Sequence, residues 1–291
     1  MERTLATLRF FWNSPQGPEP DATGYQGFYY HFLDMQTGRR AWDCELSTIG
    51  TTLLLAGALS AGAYFDAEDA EERELRSLAN ALYRRCNWTW AQNGQATVTH
   101  GWRPKSGFIA YRWEGYDEAL LLYVLGLASP THPLPQESYE AWLSTYRWEH
   151  CYGYDCLYAG PLFTHQLSYI WIDFREIQDA FMREKGIDYF ENSRRATYVQ
   201  QRYAIENPRK FAGYGEHCWG ITASEGPGPQ TWSPPCRLRL TLFYPRSTSV
   251  FDSAGRRSPT RMASRPRSIR HIRANLEILS VGGFAMVLWA Q

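Results

Sequence analysis

The stretch Trp42–Gly62, WDCELSTIGTTLLLAGALSAG, sets two carboxylates, Asp43 and Glu45, directly in front of a long apolar run. From Thr48 to Phe65 the residues are apolar or small on nearly every side of a helix, and a helix without a polar face is expected to be buried all round. The next segment, EDAEERELRSLANALYRRC (68–86), is different. Leu75, Leu78, Ala79, Leu82 and Tyr83 recur at helical spacing, and the acidic first turn and the Arg84-Arg85 end both suit the helix dipole, which predicts an amphipathic helix with one wet face. The alternation recurs. Asp117–Leu127, DEALLLYVLGL, is oily on all faces, whereas Glu137–Tyr146 has a one-sided stripe of Tyr139, Trp142, Leu143 and Tyr146. His165–Ile172 is again mostly apolar and runs into Asp173–Lys185, and Ser193–Ile205 reads as a polar helix. Buried and exposed helices in turn are the pattern of two concentric layers, so the sequence predicts an all-α toroid of helical hairpins rather than a parallel sheet. Long loops rich in Gly, Pro and aromatics lie between the hairpins, at 12–31, 88–115, 147–164 and 211–235. Loops of that length are usually functional. In such a toroid they would gather at one rim, where the acids that open the buried helices would face the mouth.

The 291 residues suffice for one large domain or two ordinary ones. Formal net charge is zero, but residues 237–291 hold ten Arg against only Asp252 and Glu277, so the body is net −8 and the tail net +8. An acidic body rich in aromatics, with 12 Trp and 19 Tyr, argues against a nucleic-acid partner. It suits a sugar, whose C–H faces stack on flat rings. The six Cys are scattered without a CxxC pair, which points to free, mostly buried thiols and to no metal site. The apolar runs at 49–65 and 119–128 are too short, or too rich in Gly, Ser and Thr, for a membrane span. No signal-peptide pattern is visible at the start of the chain. Asn87-Trp88-Thr89 matches a glycosylation sequon.

Two acidic sites share one context. Asp43 and Glu45 precede the buried helix that begins near Ser47, and Asp117 and Glu118, in WEGYDEALLL, open the second. Acids in a first helical turn complement the dipole and Ser47 can cap its own helix, so each acid also has a purely structural reading. Both buried helices opening this way beside Trp42, Trp113 and Tyr116 favours chemistry. Paired carboxylates in an aromatic cleft suit glycoside hydrolysis, in which one acid protonates the leaving oxygen while the other activates water or attacks the sugar. Secondary candidates for contacting the sugar are Asp34, in a turn where its neighbours Arg39-Arg40 could equally pair with it, His165 in GPLFTHQLSYIWIDFR, which reads equally as a satisfied core histidine, and Trp219 in GYGEHCWG. Asp173 and Arg175 read as a structural ion pair, and Glu225 lies on a Gly/Pro loop whose conformation can explain it.

Several of these segments resemble the glycoamylase-like family, which includes bacterial endo-β-1,2-glucanases and the related domain of cyclic β-1,2-glucan synthases. The resemblance lies in LRFFWNSPQGPEPDATGYQGFYYHFLDMQTGRRAWDCELST, GYDEALLLYVLGLASPTHPLP, GPLFTHQLSYIWIDFR, EKGIDYFENSRRATYVQQRYAIENP and GYGEHCWGITASEGPGP, nearly without gaps from about Leu5 to Pro229. It implies an (α/α)6 barrel with an acidic cleft that hydrolyses β-linked glucan, most of all β-1,2-linked, without metal or organic cofactor. It also implies an exported, often periplasmic protein. Carried over by motif, Glu45 and Glu118 are the expected catalytic acids, with Asp43, Asp117 and Asp34 behind them.

The chain also departs from the family pattern. Relatives continue the CELSTI segment with an acid where this chain has Gly50, and carry Glu in the loop that reads WRPKSGF here, with Lys105. Met1 falls inside the domain, and after about Pro229 the resemblance gives way to SPPCRLRLTLFYPRSTSVFDSAGRRSPTRMASRPRSIRHIR, which is rich in Arg, Ser and Pro and has no Lys. The expectation is a barrel portion over 1–230, incomplete at both ends, followed by a tail (231–291) of frameshifted origin. Reading the gene in its other frames tests that origin. A barrel lacking hairpins would expose apolar helix surface and be poorly soluble. The expected function is therefore a β-glucan hydrolase or, alternatively, an inactive remnant that at most binds carbohydrate.

Overall fold

The computed structural model describes residues 1–223 and, beyond them, the backbone of the short strands Leu240–Leu242, Leu279–Val281 and Phe284–Met286. Glu225, Cys236, the boundary near 230 and the rest of the tail lie outside the described residues.

The chain opens with helix α1 (Glu2–Asn13), which lies against α3 and which the sequence reading did not anticipate. The apolar run forms α2 (Thr48–Tyr64), capped by Ser47, whose Oγ accepts from Gly50 N at 3.0 Å. The amphipathic segment forms α3 (Ala70–Arg85). Asp69 accepts from Glu72 N at 2.9 Å and Glu72 reaches back to Ala67 N at 2.6 Å, so the acidic turn closes on itself. Leu75, Ala79, Leu82 and Tyr83 are the buried stripe of α3. A short helix α4 (Trp88–Ala91) follows, with Asn87 as its cap at 2.9 Å from Trp90 N and Trp88 fully buried. The sequon is thus consumed by a helix cap and a core residue.

The second oily run is α5 (Leu120–Leu127) and the striped segment is α6 (Gln136–Leu143). Leu120, Leu121, Leu122, Tyr123 and Val124 are buried in succession, so α5 is covered on every side as expected. α2 is not. Its fully buried residues are Thr48, Thr51, Thr52, Leu55, Ala56 and Ala58, while Leu53, Leu54 and Gly57 line a groove of about 340 Å³ shared with α1. Segment 165–172 also differs from expectation. It forms two tight turns, Leu162–His165 and Leu167–Ile170, because Gln166 leaves the helical region at φ −127°. Helices α7 (Ala180–Lys185) and α8 (Tyr189–Glu206) complete the helical part, capped by Asp179 and Asp188.

The all-α expectation needs its main correction in the long loops. Loops 12–31 and 88–115, joined through Leu46–Ser47, build a five-stranded antiparallel sheet: β1 (Gly24–Tyr25), β2 (Phe28–Tyr30), β3 (Leu46–Ser47), β4 (Gly101–Arg103) and β5 (Gly107–Phe108), in that order. Loop 147–164 contains the hairpin β6 (Trp148–Cys151) and β7 (Tyr154–Leu157). Strands of two to four residues are too short for a two-residue alternation to show in sequence. The sheet needs Gly101. A Cβ there would stand 2.0 Å from the Leu46 carbonyl oxygen.

Candidate active site

Glu45 is placed by strand register. Tyr30 pairs with Leu46, and Leu46 pairs with Trp102, so the next row across the sheet is His31, Glu45 and Arg103. The His31 N–H donates to the Glu45 carbonyl at 2.9 Å. Side chains follow the same row: His31 Nδ1 lies 2.8 Å from Glu45 Oε1, and Arg103 Nη2 lies 3.4 Å from Oε2. Partial burial of Glu45 works against its charge, but the His31 and Arg103 contacts prevail and hold its pKa below the ordinary carboxylate value. Neither basic partner was recognisable beforehand, because only the register puts them beside Glu45. Glu45 and Asp43 do not sit in the first turn of α2. The β3 strand separates them from it, and Ser47 does the capping.

Asp117 and Glu118 stand at the mouth of α5 in drier surroundings. Asp117 Oδ1 accepts from Ala119 N at 2.9 Å, partly fulfilling the capping alternative, and from Trp142 Nε1 at 3.2 Å. Burial, with the neighbouring Glu118 charge, outweighs these two bonds and pushes the Asp117 pKa up to about 7. Burial also raises the pKa of Glu118. The two acidic sites are joined through the core: Trp113, just before Asp117, donates from Nε1 to Thr48 Oγ1 at 2.9 Å, tying the approach to α5 to the first turn of α2.

The other candidates divide by burial. Asp34 Oδ1 accepts from Gln36 N, Thr37 N and Thr37 Oγ1 at 2.8–3.1 Å, which lowers its pKa. It holds its own turn and does not pair with Arg39 or Arg40, as the sequence had suggested. Asp43 is 86% exposed, 3.4 Å from Arg40 Nη1. Trp42 is 84% exposed. Trp113 and Tyr116, expected to touch sugar, are buried instead: Trp113 stacks on His100 at 3.8 Å, and Tyr116 hydroxyl lies 3.2 Å from that of Tyr169. His165 is also a core residue. Its ring lies 5.1 Å from Tyr116, and burial drives its pKa to about 4, leaving it neutral. Trp219 is half-buried beside the Gly215–Cys218 bridge. Asp173 and Arg175 form the exposed ion pair expected of them, with Nε 2.7 Å from Oδ1.

Residues 110–251 match the Glycoamylase family model, described as "Putative glucoamylase". Over that segment, just under half of its length, the chain is similar to the glycoamylase-like family. It is 27% identical over 237 residues to the exo beta-1,2-glucooligosaccharide sophorohydrolase (non-reducing end) of Parabacteroides distasonis, covering 70% of this chain and 32% of that protein. A solved structure from Bacteroides uniformis, under the same glucoamylase description, superposes with TM-score 0.69 at 28% identity, covering 78% of this chain and 56% of that one. An endo-beta-1,2-glucanase from Chitinophaga pinensis, solved with sophorotriose and glucose, gives TM-score 0.68 at 25% identity, covering 77% and 55%. The chain thus spans about a third of the first relative's length and little more than half of the two solved chains. Among the described residues no helix is long and apolar enough to cross a membrane.

Proposed function

We propose that this chain carries the catalytic acids of a glycoside hydrolase acting on β-1,2-linked glucan, with Glu118 as general acid and Glu45 as the ionised carboxylate. One observation bears the weight of the reading. Environment drives the two acids apart, Glu118 toward the protonated form by burial and Glu45 toward the charged form by His31 and Arg103. A glycosidase needs one proton donor and one anion at the pH of reaction, and that division is what separates two carboxylates into the two roles. Asp117 ranks behind Glu118, because its Oδ1 already serves Ala119 and Trp142, and Asp43 ranks last for its exposure. Trp42 and Trp219 are the aromatic candidates for contacting the sugar; Trp113, Tyr116 and His165 support the acids from beneath.

The unit that performs this chemistry is the portion 1–230, and its helices belong to an (α/α)6 barrel whose rim carries the five-stranded sheet. Export, which the family resemblance implies, is part of the same reading, and cell fractionation tests it. The decisive assay is release of reducing ends from a panel of β-glucans by the chain and by its Glu45→Gln and Glu118→Gln variants. Activity on β-1,2-glucan that either substitution abolishes supports hydrolysis. The alternative, sugar binding without cleavage, is favoured by one observation: Arg103 already engages Glu45, and exposed Lys105 stands on the same β4–β5 hairpin. Binding by the unsubstituted chain without release of reducing ends would establish it.

A further inference from the structure

Segment 115–119, which carries both dry acids, is fastened to a single residue of α6 at two points. Trp142 stands in the last turn of α6, where backbone carbonyls lack a partner within the helix. Its carbonyl accepts from Gly115 N at 3.0 Å, and its indole Nε1 donates to Asp117 Oδ1 at 3.2 Å. The approach at Gly115 is close. Its backbone is left-handed, at φ 80°, and a Cβ there would stand 3.2 Å from Thr145 Oγ1, just beyond α6.

The same Asp117 Oδ1 accepts from Ala119 N at 2.9 Å, so the side chain of one acid closes a turn around the next, with Glu118 at its centre. Ser168 Oγ donates to the Glu118 carbonyl at 3.4 Å. Among the described residues no cation acts on either acid, and the ionisable groups that face Asp117 are Glu118, Tyr116 and Tyr123. The donors that fix Asp117 are thus the neutral Ala119 N–H and the indole, and the indole is the one supplied by another element.

The indole is itself held. Trp142 is fully buried, stacked on Tyr123 at 5.0 Å, with Tyr139 and Tyr146 at 5.4 and 5.1 Å. The hydroxyls of Tyr139 and Tyr146 each lie 3.1 Å from that of Tyr189, and Tyr139 and Tyr189 both donate to Asp179 Oδ2 at 2.8 Å. Asp179 is wholly buried and caps α7 through Oδ1, 2.7 Å from Met182 N. A buried polar network satisfied in this way stiffens the core around it.

We propose that Trp142 is the positioning residue of the candidate general acid, holding segment 115–119 so that Glu118 projects from a fixed turn. The proposal rests on the reading of Glu118 given above and assigns Trp142 no contact with the sugar. Burial works against the charged form of Asp117 and the indole N–H works for it, so removing that N–H should raise the Asp117 pKa as well as loosen the turn.

The test compares, in the full chain, Trp142→Phe with a variant carrying benzothienylalanine at the same position, which keeps the bicyclic ring and has sulfur where the indole has N–H. Carboxyl-carbon NMR follows the Asp117 titration, identified by its absence in Asp117→Asn, and steady-state kinetics follow cleavage of β-1,2-glucan. With the sulfur analogue the Asp117 midpoint should rise from about 7 by about one pH unit. The kcat should fall about tenfold, with KM within twofold. Trp142→Phe should show the same changes together with a lower thermal transition, because it also loses core volume. An analogue that matches the parent in both midpoint and kcat would reduce Trp142 to packing and overturn the proposal. A change in only one of the two would do the same, because the indole would then act on the carboxyl without serving catalysis, or on catalysis without passing through the carboxyl. A parent that cleaves no glucan would sink the hydrolase reading instead. The midpoint would still rise if the indole holds Asp117, and an unmoved one would overturn that hold on its own ground.

Discussion

Glu45 and the Asp117–Glu118 pair occupy the same sequence context, acids in front of an oily helix, and the fold gives them opposite environments. Glu45 lies on a short sheet in a row with His31 and Arg103, partly open to solvent. Asp117 and Glu118 meet the mouth of a helix covered on every side, with Trp142 and a backbone N–H as the partners of Asp117. Contacts with His31 and Arg103 favour the charged form of one carboxyl; loss of water favours the protonated form of the others. Similar local sequence therefore does not set charge state. The elements packed against it do.

Removing the dry acid should have the largest effect. Glu118→Gln is expected to lower kcat on β-1,2-glucan by about 10²–10⁴-fold, the usual worth of a general acid, and to abolish the alkaline limb of the pH–rate profile. A steady-state profile of the variant measures both, and retention of that limb would assign the proton to another group. Asp117→Asn should act on stability. The folded-state pKa of about 7 lies above the unfolded value near 3.8, so the folded state binds the proton more tightly, and this carboxyl withdraws stability as pH rises through that window. The gap is worth at most about 4 kcal/mol. Asn keeps the oxygen that serves Ala119 and Trp142, so the variant should be about 2–4 kcal/mol more stable than the parent at pH 8 and equal to it at pH 4. Urea unfolding at the two pH values would reveal a reversed sign.

The wet site should respond more mildly. Arg103→Gln removes the guanidinium charge that helps hold Glu45 ionised, so the acidic limb of activity should move to higher pH. An exposed ion pair is worth about 0.2–1 kcal/mol, which corresponds to a loss of roughly 1.4- to fivefold confined to the acidic side. Loss at neutral pH of the same size would mean that Arg103 does more than tune Glu45. The smallest change belongs to Asp43→Asn. The side chain is exposed, and Asn tolerates left-handed backbone well, so stability should stay within about 0.5 kcal/mol and activity within about twofold. A large loss would promote Asp43 into the chemistry.

Helical periodicity carried a long way. The stripe of α3, its acidic first turn, the Ser47 cap of α2 and the burial of α5 were all legible, because a repeat of 3.6 residues over two or more turns leaves a distinct mark. The same reading overstated the burial of α2, whose composition says only that it avoids polar groups, not which side is covered. It also placed Trp113 and Tyr116 against the sugar, and left His165 between a sugar contact and the core position it in fact takes. An aromatic in a loop next to an acid looks the same in sequence whether it lines a cleft or, as here, packs into the core.

By itself, then, the sequence determined that the two oily runs and the amphipathic segments that follow them become helices, that Ser47 caps one of them and which acids precede the oily runs, since these follow from contacts between residues a few positions apart. Tertiary structure alone decided the sheet, because its strands are too short to be read and their pairing joins residues as distant as Glu45 and Arg103. It also decided which carboxyl is wet and favoured in its charged form and which is dry and pushed toward the protonated one. Charge state depends on the solvent and dipoles around a group, and those are supplied by parts of the chain that sequence proximity does not reveal.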